Sequence, residues 1–284
     1  MGIFFSAIAA AFFGIADYAG GSASRRIPVV AVICFSHTIG FCLVLLSALL
    51  WRAPFGLESV SFGALAGVLG GSGVWLFYRA LSRGPMATVT PIAAVLSATV
   101  PVLWSMILGE SLRLAAWAGV TLAIVAVAMV SVSKSQDRVS VAWVTMGDSI
   151  GAGLLFGTVF VTFDHISAEG ALWPIVGARF MTGVVLLVVL LVVGLVREPL
   201  TTLRQQRPLL GLVGTAGLLD TSANVSFLVA SDLGNLAVVS VVAGMYPVAT
   251  VGLARVVDGE RLRRIQSFGV VLLLVATGLL LAGG

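Results

Sequence analysis

Runs of about twenty apolar residues recur along the whole chain, separated by short stretches carrying arginine, glycine or proline. A helix needs roughly 20 such residues to cross ~30 Å of hydrocarbon, and it is the one open-chain form that satisfies its own backbone there. The pattern predicts ten spans, at residues 3 to 21, 29 to 50, 60 to 81, 86 to 107, 114 to 133, 141 to 163, 172 to 196, 208 to 229, 235 to 257 and 265 to 283. The connections between them are short. No basic region lies ahead of the first apolar run, so that run is expected to be a transmembrane helix and not a removable signal.

The spans repeat. Laying residues 80 to 126 over 230 to 276 without gaps brings Ala80 onto Ala230, Gly84 onto Gly234, Ala87 onto Ala237, Ala93 onto Ala243 and Gly119 onto Gly269. The same register superposes Gly109-Glu110-x-Leu112-Arg113 on Gly259-Glu260-x-Leu262-Arg263. Two five-span units are therefore expected, residues 1–138 and 139–284. Five is an odd number of crossings, so the second unit enters the bilayer inverted. Inverted repeats recur in alternating-access carriers, whose cargo site lies near the midplane between the halves.

Composition agrees with a lipid solvent: 59% of the 284 residues are hydrophobic, 10% are charged and the mean hydropathy is +1.12. A water-soluble domain carries about a quarter of its residues charged, so that class is excluded. The 33 glycines suit helices that approach closely in a membrane. Sixteen basic residues give a net charge of +4, and their placement is lopsided. Thirteen fall in the odd connections: Arg25, Arg26, Arg79, Arg83, Lys134, Arg138, Arg197, Arg204, Arg207, Arg255, Arg261, Arg263 and Arg264. Arg52 and Arg113 alone fall on the other side. The positive-inside rule puts the odd connections in the cytoplasm and both termini outside a multi-pass cell membrane protein. The charge reports loop bias and not nucleic-acid binding. Cys34 and Cys42 lie on one predicted helix too far apart to pair, so no structural disulfide is expected.

With these features in view, the chain resembles the EamA-like branch of the drug/metabolite transporter superfamily. The residues that carry the likeness are Phe13-Gly14 with Phe156-Gly157, Gly109-Glu110-Ser111-Leu112 after span 4, and the stretch from Pro247 to Gly259-Glu260-Arg261-Leu262 closing span 9. Phe13-Gly14-Ile15-Ala16-Asp17-Tyr18 followed by Gly20-Gly21-Ser22-Ala23-Ser24-Arg25-Arg26 resembles a bacterial subgroup. The resemblance implies a basket of two inverted five-helix repeats, with a central cavity lined by spans 1 to 4 and 6 to 9 and with spans 5 and 10 at the periphery. It implies transport of amino acids, nucleotide sugars, drugs or other metabolites without naming the cargo. One departure is Ser97, which stands where the second half has Pro247.

Ionisable groups inside spans are costly and usually face the bundle interior, a partner or water. Asp220 and Asn224 share a face of span 8; such a carboxylate either takes a proton, a cation or a substrate amine, or ties helices together by hydrogen bonds. Arg179, in span 7, either holds an anionic cargo group bidentately, pairs with Asp220 or snorkels to the interface. Asp17, His37 and Asp148 come out at similar depth and form a candidate proton relay, each with an alternative as a packing or helix-end residue. Trp75, Tyr78, Trp104, Phe156, Phe227 and Tyr246 are candidate cavity aromatics that accept cationic or aromatic cargo, with the membrane-interface belt or packing as the alternative. Pro91, Pro101 and Pro247 are candidate kinks in the two gating helices.

No zinc spacing, Walker loop or nucleophile elbow occurs, so no cofactor and no enzyme activity is expected. Asp164, His165 and Glu169 are three polar loop residues that could meet at a metal but more simply face water. The expectation is a secondary transporter, working as an exporter of a small organic solute by proton or substrate antiport. Its partners would be that solute, membrane lipid and protons, and its expected state is a monomer. The alternatives are a channel, a non-catalytic membrane partner or an enzyme acting on a lipid-linked substrate.

Overall fold

The computed structural model describes residues 1–109, 114–130, 139–165, 172–192, 194, 197–259 and 264–283. Among these residues the chain is helical throughout, with no strand. The helices are α1 (Gly2–Ser24), α2 (Val29–Leu50), α3 (Leu57–Arg83), α4 (Met86–Ile107), α5 (Leu114–Val130) and α6 (Val139–Asp164). They continue with α7 (Leu172–Val192), α8 (Arg207–Asp232), α9 (Leu236–Val257) and α10 (Arg264–Gly283). Among the described residues eight of these helices, all but α5 and α10, register as long and apolar enough to cross a membrane. Their outer faces expose Leu46, Leu49, Val188 and Leu191, as helices solvated by lipid do. A short amphipathic helix, Arg197–Gln205, lies between α7 and α8 and buries Leu203.

The helix ends follow from local chemistry. Pro28 and Pro85 hold extended backbone just before α2 and α4, where a missing N–H costs no helical bond. Asn235, at the position in the second half that matches Pro85, instead caps α9 by accepting from the Ala237 N–H at 2.9 Å. Gly109 and Gly259 end α4 and α9 with φ of +88° and +67°, a conformation that glycine adopts without strain. The rest of the two Gly-Glu turns, residues 110–113 and 260–263, lies outside the described residues. So do Lys134, Arg138, Glu169 and the proposed boundary between the units.

The expected kinks take different forms in α4 and α9. α4 runs unbroken through Pro91 and Pro101, whereas α9 is interrupted at Gly244–Tyr246 before Pro247. Met245 and Tyr246 there donate to carbonyls three residues back, tightening the chain into the turn from which Pro247 starts a new helix. Ser97, at the matching place in α4, donates its hydroxyl to the Ala94 carbonyl at 2.9 Å and leaves the helix intact. α7 widens into a π turn at Phe180–Val184.

The main packings of the helices are reciprocal between the two halves. α1 packs on α8 as α6 packs on α3, and α1 on α9 as α6 on α4. α2 packs on α8 as α7 packs on α3, and α5 packs on α10. Glycines set the register of these crossings by removing the side chain that would hold the backbones apart. Gly14 seats against Tyr246 and Thr250, and Gly157 seats against Ser97 and Val100, so the two Phe-Gly pairs do the same work in the two halves. Gly67 meets Ala178 as Gly217 meets Ser36, and Gly71 meets Thr182 as Gly40 meets Thr221. This second set aligns α2 with α7 where their sequences share no motif: Ser36 answers Ala178, and His37 therefore answers Arg179.

Candidate functional site

A cavity opens between the two units. Its wall takes residues from α1, α2, α3, α4, α6, α7, α8 and α9, and no described residue of α5 or α10. Phe13, Phe156 and Phe160 supply its apolar faces, together with Val74 and Val159. The ring of Phe160 stacks on Phe227 at 4.1 Å and lies 6.4 Å from that of Phe13. Phe77, behind the wall, meets Phe156 edge-on at 5.6 Å and Tyr246 at 6.4 Å. These ring contacts fix the apolar side chains of the wall.

The polar part of the wall is a linked cluster. Arg179 is 6% exposed and cannot discard its charge, so it needs a buried counter-ion. Asp220 provides it, with Arg179 Nη2 2.5 Å from Asp220 Oδ2. Asn224, one turn on, donates to the Asp220 carbonyl at 2.7 Å and approaches its Oδ1 at 3.4 Å, orienting the carboxylate along the face that the i, i+4 spacing predicts. Arg179 Nη1 also lies 3.3 to 3.4 Å from the His37 ring, and His37 Nε2 lies 3.8 Å from Asp220 Oδ2. Thr182 donates its hydroxyl to the Ala178 carbonyl at 2.9 Å and therefore accepts from His37 Nδ1 at 2.7 Å. That assigns the proton to Nδ1 and leaves Nε2 to accept from Arg179. The π turn that begins after Arg179 puts Thr182 within reach of the imidazole, and Gly183 lets α7 close on the α2 backbone beside it.

The structure divides the sequence candidates cleanly. Asp220, Asn224, Arg179, Tyr78, Tyr246, Asp17 and His37 all line the cavity. Trp75 and Trp104 do not. Trp75 faces outward at 40% exposure under the Arg79 guanidinium, whose carbon lies 4.2 Å from the ring centre. The Trp104 ring meets His165 at 5.9 Å near the end of α6. Asp148 also lies away from Asp17 and His37: Arg79 grips it through both carboxylate oxygens, one of them 2.7 Å from Nε, and Arg83 lies 3.6 Å away. Depth along a helix placed these three groups at one level, but rotation about the helix axis turns Asp148 toward α3. Among the described residues no three of His, Cys, Asp and Glu cluster as a metal site, and the expectation for Asp164, His165 and Glu169 involves a residue outside them.

The Asp148 pairs have a companion at the same end of the bundle. Arg25 of α1 lies 3.7 Å from Asp258 of α9, which also accepts from the Tyr18 hydroxyl at 3.1 Å. Arg25 further donates to the carbonyls of Leu81 and Gly84. Both groups join the first unit to the second at the end that carries the basic connections. The lining residues Ala66, Phe163 and Ile175 lie in the opposite halves of their helices. Sequence reasoning missed Thr182 and Phe160 as wall residues. Their signals were present, since Thr182 follows Arg179 by three and Phe160 follows Phe156 by four, the spacings of one helix face.

The chain compares with known proteins as follows. No curated protein matches it. A solved structure described only as the crystal structure of a protein shares its fold with a TM-score of 0.62 and 14% identity, over 96% of this chain and 95% of the other. The EamA-like transporter family matches twice, over residues 1–132 and 143–282, one match for each half of the reciprocal bundle. Two copies of one family unit thus account for nearly every helix that walls the cavity, and the chain belongs to the EamA-like transporter family of the drug/metabolite transporter superfamily.

Proposed function

We propose that this protein is a secondary carrier of a small organic solute, working by alternating access with proton or substrate exchange. In this reading all ten helices cross a cell membrane as two inverted five-helix repeats, residues 1–138 and 139–284, acting as a monomer with both termini outside. The observation that carries it is the reciprocal packing of the two units around one cavity. If each contact in one half has an inverted counterpart in the other, exchanging the two arrangements converts a cavity open to one side into a cavity open to the other.

The ionic contacts say what must change. At the basic end, α3 is tied to α6 through Asp148 and α1 to α9 through Asp258. Opening toward the cytoplasm requires those ties to part, and partly exposed ion pairs are weak enough to do so. Asp148 in this reading belongs to the closed end and not to a relay. Tyr78, Tyr246, Asn224, Asp220 and Arg179 face the cargo, with Asp17 and His37 as the titratable groups beside it.

Counterflow in proteoliposomes of the purified protein tests this, using labelled amino acids, amines, sugars and cationic drugs with a pH dye inside the vesicles. Saturable exchange of one class, with the dye reporting proton movement, is the expected result. Flux that never saturates would make the protein a channel. Silence across the panel from folded protein would favour a non-transport role as a membrane partner.

A further inference from the structure

The cavity wall carries two carboxylates and one permanent cation, and the cation is taken. Arg179 spends Nη2 on Asp220 at 2.5 Å and Nη1 on the His37 ring. Asp17 has no ion-pair or hydrogen-bond partner among the described residues, so one of the cavity's two carboxyl groups lacks a counter-ion. A second group beside it is also unmatched. The Tyr246 hydroxyl is buried, with the residue 4% exposed, and has no hydrogen-bond partner among the described residues. Tyr246 and Tyr78 line the same cavity as Asp17. Gly20, one turn beyond Asp17, leaves the space that the Tyr78 ring and hydroxyl fill. Phe13 precedes Asp17 by four residues on the same face of α1, and Phe160 packs against Phe13 from the other unit.

We propose that the cargo is an organic amine carrying a single positive charge and at least one N–H, bound with its ammonium on Asp17 and Tyr246 and its apolar body on Phe13, Phe156 and Phe160. The charge follows from the unpaired carboxylate, and the aromatic faces add attraction for a cation. The N–H follows from the Tyr246 oxygen, which a quaternary ammonium could not satisfy. The absence of a carboxylate on the cargo follows from Arg179, whose charge is already matched by Asp220, so a zwitterionic amino acid would bring an anion with no uncompensated cation to meet it. The proposal rests on reading the cavity as the cargo site of a carrier.

Three probes with one apolar body test it: phenethylamine, its N,N,N-trimethyl derivative and phenylalanine, titrated calorimetrically into the purified full-length protein in detergent. Phenethylamine is expected to bind most tightly, the trimethyl compound more weakly and phenylalanine weakest. Asp17→Asn should lower phenethylamine affinity by about thirtyfold or more, since a desolvated ammonium loses its counter-ion. Asp17→Glu should retain binding. Tyr246→Phe should cost about two- to tenfold for phenethylamine and nothing for the trimethyl compound. The proposal falls if phenethylamine does not bind, if phenylalanine binds as tightly, or if Asp17→Asn binds phenethylamine like the parent. Should Asp17→Asn fail to fold, unchanged phenethylamine affinity in Tyr246→Phe overturns it instead. Binding is read without flux, so the two readings fail separately. Asp17-dependent binding without counterflow would remove the carrier and keep the site, whereas saturable counterflow of another class, indifferent to Asp17→Asn, would do the reverse.

Discussion

The two five-helix units share a scaffold and differ at the wall they present to the cavity. Gly67 and Gly217, Gly71 and Thr221, and Gly14 and Gly157 occupy matching positions, and each seats against a matching neighbour in the opposite unit. The functional side chains do not match. Asp17 in α1 answers Phe160 in α6, Asp220 in α8 answers Gly70 in α3, and His37 in α2 answers Arg179 in α7. His37 and Arg179 meet across the middle at 3.3 Å, as residues on a pseudo-twofold axis would. In the carrier proposed above, backbone crossings need both copies alike if one arrangement is to convert into the other, whereas a ligand needs charge on one side and an apolar face on the other, and the side chains at the centre differ accordingly.

The strongest test of that contrast removes Asp220. Asp220→Ala leaves the Arg179 charge buried without a counter-ion and should lower stability by about 3–5 kcal/mol. The expected readout is a large fall in the thermal unfolding midpoint in detergent. Arg179→Met in the same chain should restore much of it, and a double mutant no better than the single would show that the pair is not the cause.

Next come the crossings. Gly67→Val and Gly217→Val each place a branched side chain against the backbone of a helix on the opposite unit and should each cost about 1–3 kcal/mol by overpacking. Their near equality is the point, because a scaffold matched in both halves should suffer alike in both. One tolerated and one ruinous substitution would break the comparison.

A smaller effect is expected at the centre from Thr182→Val, which keeps the shape and removes the acceptor for His37 Nδ1, at about 1 kcal/mol. A shifted imidazole nitrogen resonance, measured by NMR on histidine-labelled protein, should accompany it, since the Nδ1 proton loses its partner.

The smallest stability effect belongs to Asp148→Asn. Arg79 and Arg83 are 28% and 43% exposed and re-solvate when released, so the loss should stay below about 1 kcal/mol. Its conformational effect should be larger than its cost. With one of the two ties between the units cut, a single cysteine placed at Ser97 should react faster with a thiol reagent added from the basic side, measured in a chain in which Cys34 and Cys42 are replaced.

Hydropathy alone located the helices, because lipid demands an apolar stretch of fixed length and the chain has no other way to satisfy its backbone. Internal similarity showed the duplication, and the Phe13-Gly14 and Phe156-Gly157 pairs marked the two crossings that the structure places at matching positions. The Asp220 and Asn224 face was legible too, since it depends on helical period and nothing else. What the sequence left open depends on how the helices are turned and what they meet. Asp148 read as a relay candidate by depth and Trp75 and Trp104 as cavity candidates by their aromatic faces, and only packing turned each elsewhere. The match of His37 to Arg179 has no trace in the residues around them; it exists because Gly67 and Gly217 choose which side chains of α7 and α2 they touch. Pairing is a relation between helices far apart in the chain, whereas apolar length and period are properties of each helix alone, and a sequence read in order sees only the second kind directly.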